Sequence, residues 1–97
     1  MIYIDNFTVN NDATKLLVSV STDTGETITS ALVWNDRTYK NYDLAIDVSS
    51  LLTGVTNKEV FEIPASTLGV SSLDGIYFIE FQGTSEATEE SLSLIHI

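Results

Sequence analysis

The chain contains 97 residues, of which 14 are acidic and 4 are basic, so its formal net charge at neutral pH is −10. Nucleic acids and anionic membrane surfaces both attract basic side chains, so this charge excludes them as expected partners. The sequence contains no Cys, which excludes disulfide bonds and thiolate chemistry. Its length predicts one domain over residues 1–97 with one modest core.

The first two predicted strands are joined by a turn. Ile2 to Val9 has the β-branched and aromatic residues of a strand, and Asp5-Asn6 interrupts it at a point where a bulge is expected. Asn10-Asn11-Asp12 provides turn chemistry, because Asn and Asp tolerate left-handed backbone. Lys15 to Thr22 then alternates, which predicts a strand whose even-numbered residues from 16 to 20 share one apolar face.

The middle of the chain predicts two further strands. Thr27 to Trp34 reads as a strand with the apolar residues 28, 32 and 34 in phase on one face. Asn35-Asp36 is a turn signal, and alternation resumes from Leu44 to Val48. Leu51 to Asn57 is expected to be a loop with a helical turn.

The last third begins with a short strand from Val60 to Ile63. Pro64 ends it, because proline cannot donate to a strand ladder. The connection from Ala65 to Asp74 is expected to hold one helical turn, and Gly75 to Gln82 is the next strand.

The C-terminal segment is expected to begin with a polar, acidic hinge from Ser85 to Glu90. Apolar residues from Leu92 onward close the chain and are suited to adding to a sheet edge. Residues 86–97 are therefore expected to be the last strand or the start of a truncated extension.

The strand from Gly75 to Gln82 is apolar on both faces, which predicts that its outer face is either shielded by nearby Leu, Tyr or Thr side chains or covered by a partner. One face carries Tyr77, Ile79 and Phe81, and alternation places the other residues opposite them. Contiguous exposed apolar surface usually marks an interface. The predicted interface consists of an apolar pair and its polar rim: Ile76, Phe78, Glu80 and Gln82.

No residue pattern supports catalysis. His96 is the only His and lies between two Ile residues at the chain end, where a base would be poorly held. The carboxylate pairs Asp43 with Asp47 and Glu59 with Glu62 are close in sequence, as chance produces among 14 acids. We therefore predict a protein that is not an enzyme and has no catalytic residue.

Calcium is the one metal whose oxygen ligands the loops provide. The segments Asn10-Asn11-Asp12 and Asp23-Thr24-Gly25-Glu26 would have to meet at one end of the fold, and neither has the spacing of a dedicated calcium loop. We predict no metal site and no cofactor.

About seven short strands with turns every 8 to 12 residues favour an all-β antiparallel sandwich of the immunoglobulin-like or fibronectin-III-like type. The segment Leu73-Asp74-Gly75-Ile76-Tyr77 resembles the entry to strand F in bacterial and phage Ig-like modules. That resemblance implies that the Tyr77 hydroxyl bonds to the loop backbone. It also implies that Trp34 is a core Trp, as such sandwiches carry on strand B or C.

Residues 18–24 and 61–66 also resemble the small Ig-like modules of tailed-phage virion proteins, including those of the crAss-like group. This resemblance implies a structural or assembly module in a virion, acting through protein–protein contacts in a homo- or hetero-oligomer. The N-terminus lacks the pattern of a signal peptide and no apolar run could span a membrane, so the alternative location is soluble. The alternative function is a surface adhesion or carbohydrate-binding module that uses Tyr39 and Tyr42.

Overall fold

The protein is an all-β fold of two antiparallel sheets, as the sequence predicts. The computed structural model describes residues 1–52 and 59–94, with backbone alone at residues 52 and 59–61. Two single turns of 3-10 helix, Ser49–Leu52 and Ala65–Leu68, lie in the connections. The strands in chain order are β1 (Ile2–Val9), β2 (Lys15–Thr22), β3 (Ile28–Asn35), β4 (Ile46–Asp47), β5 (Glu59–Pro64), β6 (Ile76–Gly83) and β7 (Ala87–Ser93).

The two sheets enclose one apolar core. The three-stranded sheet has the order β1-β2-β5, and the four-stranded sheet has the order β4-β3-β6-β7. Both sheets and the connection after β5 contribute buried side chains, so neither sheet is stable without the other. The buried core consists of Ile2, Phe7, Leu16, Val18, Val20, Ala31, Val33, Val48, Ile63, Ala65, Leu68, Leu73, Tyr77, Ile79, Phe81 and Leu94.

The predicted bulge in β1 is confirmed. Pairing with β2 shifts register between Ile4 and Asn6. An extra residue in a strand turns the following side chains to the opposite face. The residues that face the core therefore change from even-numbered, as at Ile2, to odd-numbered, as at Phe7. The bulge thereby keeps apolar residues on the core side along the whole strand.

The expected phase of β3 is wrong. The sequence places residues 28, 32 and 34 on one face, but the core contains Ala31 and Val33. A register shift between Ile28 and Ser30 lets Ile28 pack against the core and turns the rest of the strand over. Trp34 is fully buried, but it lies outside the core between the sheets, on the opposite face of the four-stranded sheet.

The acidic segment expected to be a hinge is part of a strand. β7 pairs with β6 from Ala87 opposite Gln82 to Ser93 opposite Ile76. Backbone pairing along β6 outweighs the polar composition, and charges on an edge strand disfavour aggregation. The strand predicted from Leu44 to Val48 is reduced to the two residues of β4.

β6 has the two faces that the sequence predicts. Tyr77, Ile79 and Phe81 are buried in the core. Gly75 enters the strand with φ of 89°, a left-handed conformation that favours glycine. The Tyr77 hydroxyl accepts a long hydrogen bond of 3.5 Å from the Asp74 backbone N–H, so it contacts the loop backbone at the expected corner.

Within the described ranges, the structure contains no helix with the length and apolar character needed to cross a bilayer. The segment predicted from Leu51 to Asn57 lies mostly outside the described residues, but its beginning coincides with the end of the 3-10 turn Ser49–Leu52.

The alternation of β2 leads to a stability prediction. Leu16 is fully buried, whereas its neighbour Leu17 is half-buried on the outer face. We expect Leu16→Ala to lower the free energy of unfolding by about 2–5 kcal/mol, because it leaves a cavity in the core. Chemical denaturation should show a clearly smaller loss for the control Leu17→Ala. Equal losses would contradict the assigned faces.

Candidate functional site

The outer face of the four-stranded sheet is covered by a segment of the same chain. Trp34 on β3 is opposite Phe78 on β6, and Glu80 on β6 is opposite Glu89 on β7. We call the segment 36–45, which connects β3 to β4, the cover. The covered face is the set Leu32, Trp34, Ile76, Phe78, Glu80, Gln82 and Glu89.

Local hydrogen bonds shape the cover into successive turns. The Asn35 side chain accepts hydrogen bonds from the backbone N–H groups of Arg37 and Thr38, at 3.0 and 3.1 Å. The backbone N–H of Asn41 donates to the Thr38 carbonyl, and that of Leu44 donates to the Asn41 carbonyl. Asn is suited to these positions because its side chain mimics a backbone turn.

Three contacts between aromatic rings join the cover to the covered face. Tyr39 stacks on Phe78, with ring centroids 3.8 Å apart and ring planes 15° apart. Trp34 meets Tyr39 and Tyr42 edge-on, at centroid distances of 5.9 and 5.3 Å. The Trp34 indole N–H donates to the Asn41 carbonyl at 2.9 Å. These contacts explain how a Trp outside the core is 0% exposed.

Glu80 is a buried carboxylate whose partners come mostly from the cover. It is 5% exposed, although it lies on the outer face. The Tyr42 hydroxyl donates to it at 3.0 Å and the Gln82 amide donates at 2.9 Å. The Lys40 ammonium lies 3.6 Å away. A buried charge needs such partners, because leaving it unpaired costs several kcal/mol.

Lys40 also neutralises the second carboxylate of the covered face. Its ammonium lies 2.8 Å from Glu89, which is directly opposite Glu80 in the strand register. Two like charges opposite each other destabilise a sheet, so the cation between them removes a repulsion. Hydrogen bonding to Glu89 raises the pKa of Lys40, and the same contact, with help from Tyr39, lowers the pKa of Glu89.

The carboxylates of Glu80 and Glu89 also shift the pKa values of the two tyrosines in the cover. A hydrogen bond to Glu89 raises the pKa of Tyr39, and a hydrogen bond to Glu80 raises the pKa of Tyr42. Both phenols therefore keep their protons more firmly than usual. The network requires ionised carboxylates and protonated phenols at the same time.

A partner contact through the predicted interface stays a prediction, but the setting of its residues differs from the expected open strip. Ile76, Phe78 and Gln82 are half-buried, and Tyr39 covers Phe78. Glu80 is buried beneath Tyr42 and is not part of an exposed rim. The cover supplies shelter for this face from within the chain, which is one of the two possibilities that the sequence left open.

Tyr39 and Tyr42, the residues predicted to bind carbohydrate in the alternative function, are also engaged in contacts within the chain. One face of the Tyr39 ring is stacked on Phe78, and the Lys40 ammonium lies 5.5 Å from its centroid. Tyr42 is 52% exposed, but its hydroxyl is bonded to Glu80. Sugar binding through these two residues stays a prediction with no separate stacking surface in its favour.

A shallow groove of about 200 Å³ runs along the edge of the cover. Its walls combine the aromatic stack with the outer edge of β7, and the groove is open to solvent. It offers contact surface to a partner or ligand. The lining consists of Tyr39, Phe78, Glu89, Glu90 and Ser91.

The two segments considered for calcium do not meet. They flank the same strand, β2, so they lie at opposite ends of the sandwich, roughly 20 Å or more apart. The Asn10 side chain accepts hydrogen bonds from the backbone N–H groups of Thr14 and Lys15, and the Thr14 hydroxyl donates to Asp12. In the part of the chain that the structure describes, no three acidic or His side chains are grouped for a metal.

The other candidate acids are exposed or lie outside the described residues. Asp43 and Asp47 are exposed, and Glu62 forms an ion pair with Lys15 at 3.2 Å. The Glu59 side chain and His96 are not among the described groups. A carboxylate pair that the sequence did not indicate is Glu80 with Glu89, which the strand register places opposite each other.

The network leads to a pH prediction. Because the pKa of Glu89 is lower in the folded protein, its contribution to stability is present above the ordinary value of 4.5 and is lost as pH falls through the lowered value. We therefore expect Glu89→Gln to be less stable than wild type at pH 7, and the difference to shrink in acid. Denaturation between pH 7 and pH 3 measures it.

A double-mutant cycle with Lys40→Met provides the control. The effect of Glu89→Gln should be smaller in the variant that lacks Lys40, since the two groups interact directly. An effect of Glu89→Gln that is the same with and without Lys40 would contradict the pairing.

The chain matches no protein-family model, and comparisons with curated proteins and with solved structures find no significant match. The function is therefore inferred from the contacts and exposure of the residues themselves.

Proposed function

We propose that this chain is an immunoglobulin-like, fibronectin-III-like module with no enzymatic activity, which acts through protein–protein contacts in a larger assembly. The strand order supports this type of sandwich. The first, second and fifth strands form one sheet, and the third, sixth and seventh are neighbours in the other, with the short β4 at its edge. Strands A, B and E and strands C, F and G are divided in the same way in Ig-type folds.

The tip of the cover is the contact surface in this proposal. Tyr42 is 52% exposed and Leu44 is 56% exposed, and they lie two residues apart. Tyr is enriched at interfaces because its ring offers contact area at low entropic cost. The ring of Tyr42 is already fixed by Trp34 and Glu80, so little freedom is lost on binding. This fixed, exposed Tyr is the observation that carries the proposal.

Charge favours the same surface. The protein has a net charge of −10, and two of its four basic residues, Arg37 and Lys40, are in the cover. A partner that approaches the cover therefore meets less repulsion than one that approaches the rest of the molecule. The resemblance to tailed-phage modules supports a virion, in its capsid, neck or tail, as the assembly.

The test is capture of partners from the source lysate by immobilised wild type and by Tyr42→Ser/Leu44→Ser, with identification by mass spectrometry. We expect wild type to retain a structural protein of the assembly and the double variant to lose it, since two anchor residues are removed. Val70→Ser is the matched control, because Val70 is also exposed but lies in a different connection.

Two results would contradict the proposal. One is capture that is equal for wild type and the double variant. The other is specific glycan binding on an array that Tyr39→Ala and Tyr42→Ala abolish, which would favour the carbohydrate-binding alternative.

A further inference from the structure

The cover is joined to the sheet mainly through side chains. Its backbone N–H groups at Thr38, Asn41 and Leu44 donate to carbonyls of the same turn segment. Ladder pairing with the four-stranded sheet ends where Asp36 donates to the Ile76 carbonyl, and it resumes at β4. Residues between these two points can move without breaking a strand pair, because the contacts that hold them are made by side chains.

The closed position of the cover requires an unfavourable backbone conformation at one residue. Lys40 has φ of 67°, in the left-handed region that a side chain other than glycine or asparagine rarely adopts. Such a conformation persists only when surrounding contacts hold it. The contacts that hold Lys40 include its two carboxylate partners, Glu80 and Glu89, and the backbone hydrogen bond from Asn41 to Thr38 closes the same turn.

One cation therefore serves two acids and maintains a strained turn. Loss of the Lys40 charge leaves the buried Glu80 directly opposite Glu89 with no cation between them. It also removes the two ion pairs that favour the left-handed backbone of Lys40. Protonation of Glu89 has a related effect, because its neutral carboxyl no longer attracts Lys40. Tyr39 and Tyr42 are the other titratable groups that influence Lys40. Further charged residues on the adjoining elements are Asp36, Arg37 and Asp43 on the cover, Asp47 on β4 and Glu90 on β7.

We propose that residues 36–45 form a hinged cover that opens, while the sandwich stays folded, when the interaction of Lys40 with Glu80 and Glu89 is broken. Opening exposes Trp34 and Phe78, the aromatic part of the covered face. The interface predicted from the sequence is then a property of the open form. This device goes beyond the proposed function, because it operates with no partner present.

Trp34 makes the movement measurable in the full-length chain. It is the only Trp, it is fully buried, and the cover is what buries it. Acrylamide quenching of its fluorescence therefore reports the cover, while far-UV circular dichroism reports the sheets. At pH 7 we expect Lys40→Met to increase the quenching constant several-fold with an unchanged dichroism spectrum, and Lys40→Arg to resemble wild type.

Lys15→Met is the matched control, because Lys15 pairs with Glu62 on the other sheet. It should leave quenching unchanged. Quenching of Lys40→Met that equals that of wild type would overturn the proposal, since the cover would then be held without its cation.

Acid titration of wild type keeps the test independent of the variant. As the pH is lowered and the carboxylates become protonated, we expect quenching of Trp34 fluorescence to increase at a higher pH than the pH at which the dichroism signal is lost. A single transition in which both signals change together would overturn the proposal, because the cover would then be part of the cooperative sandwich.

Discussion

A buried carboxylate on the outside of a sheet is the constraint on which this structure depends. Glu80 lies between Ile79 and Phe81 in the sequence of β6 and is only 5% exposed. It therefore needs donors, and the sheet itself supplies only Gln82. Tyr42 and Lys40 supply the others, and both come from the connection between β3 and β4. The fold of that connection follows from this need, and so does the burial of Trp34 beneath it.

The local pattern of the sequence predicts the strands and their turns well where one face is clearly apolar. β2 alternates from Lys15 to Val20, and Asp5-Asn6 identifies the bulge in β1, because both features depend only on neighbouring residues. The phase of β3 was not predictable in this way. Its two faces carry Trp34 and Val33, which are equally apolar, and the choice between them depends on pairing with β6 about 45 residues later in the chain.

The site was less predictable than the fold for the same reason. β6 was expected to need shelter on its second face, and that expectation is physically sound for a strand that is apolar on both sides. The source of the shelter was left open between nearby side chains and a partner, because nothing in the spacing of Tyr39, Lys40 and Tyr42 indicates that a turn-rich segment folds back over a sheet. Glu80 was expected to be a polar rim, since its burial becomes apparent only when Lys40 and Tyr42 are placed above it.

The cover joins two features that are usually separate in a small β domain. Its inner side completes the packing of the four-stranded sheet, and its tip presents Tyr42 and Leu44 to solvent. A contact at the tip would act on Tyr42, which Trp34 and Glu80 already hold, so binding there would be energetically linked to closure of the cover. The rest of the surface is acidic, so an acidic partner would be repelled if it approached any other side of the molecule.

Hydrogen exchange of the Trp34 indole N–H, followed by NMR, tests this account most directly. The single indole donates to the Asn41 carbonyl and is buried by the cover, so its signal should persist in D2O far longer than that of an exposed indole. Exchange as fast as that of an unprotected Trp, in a protein whose sheet amides remain protected, would contradict the claim that residues 36–45 cover this face.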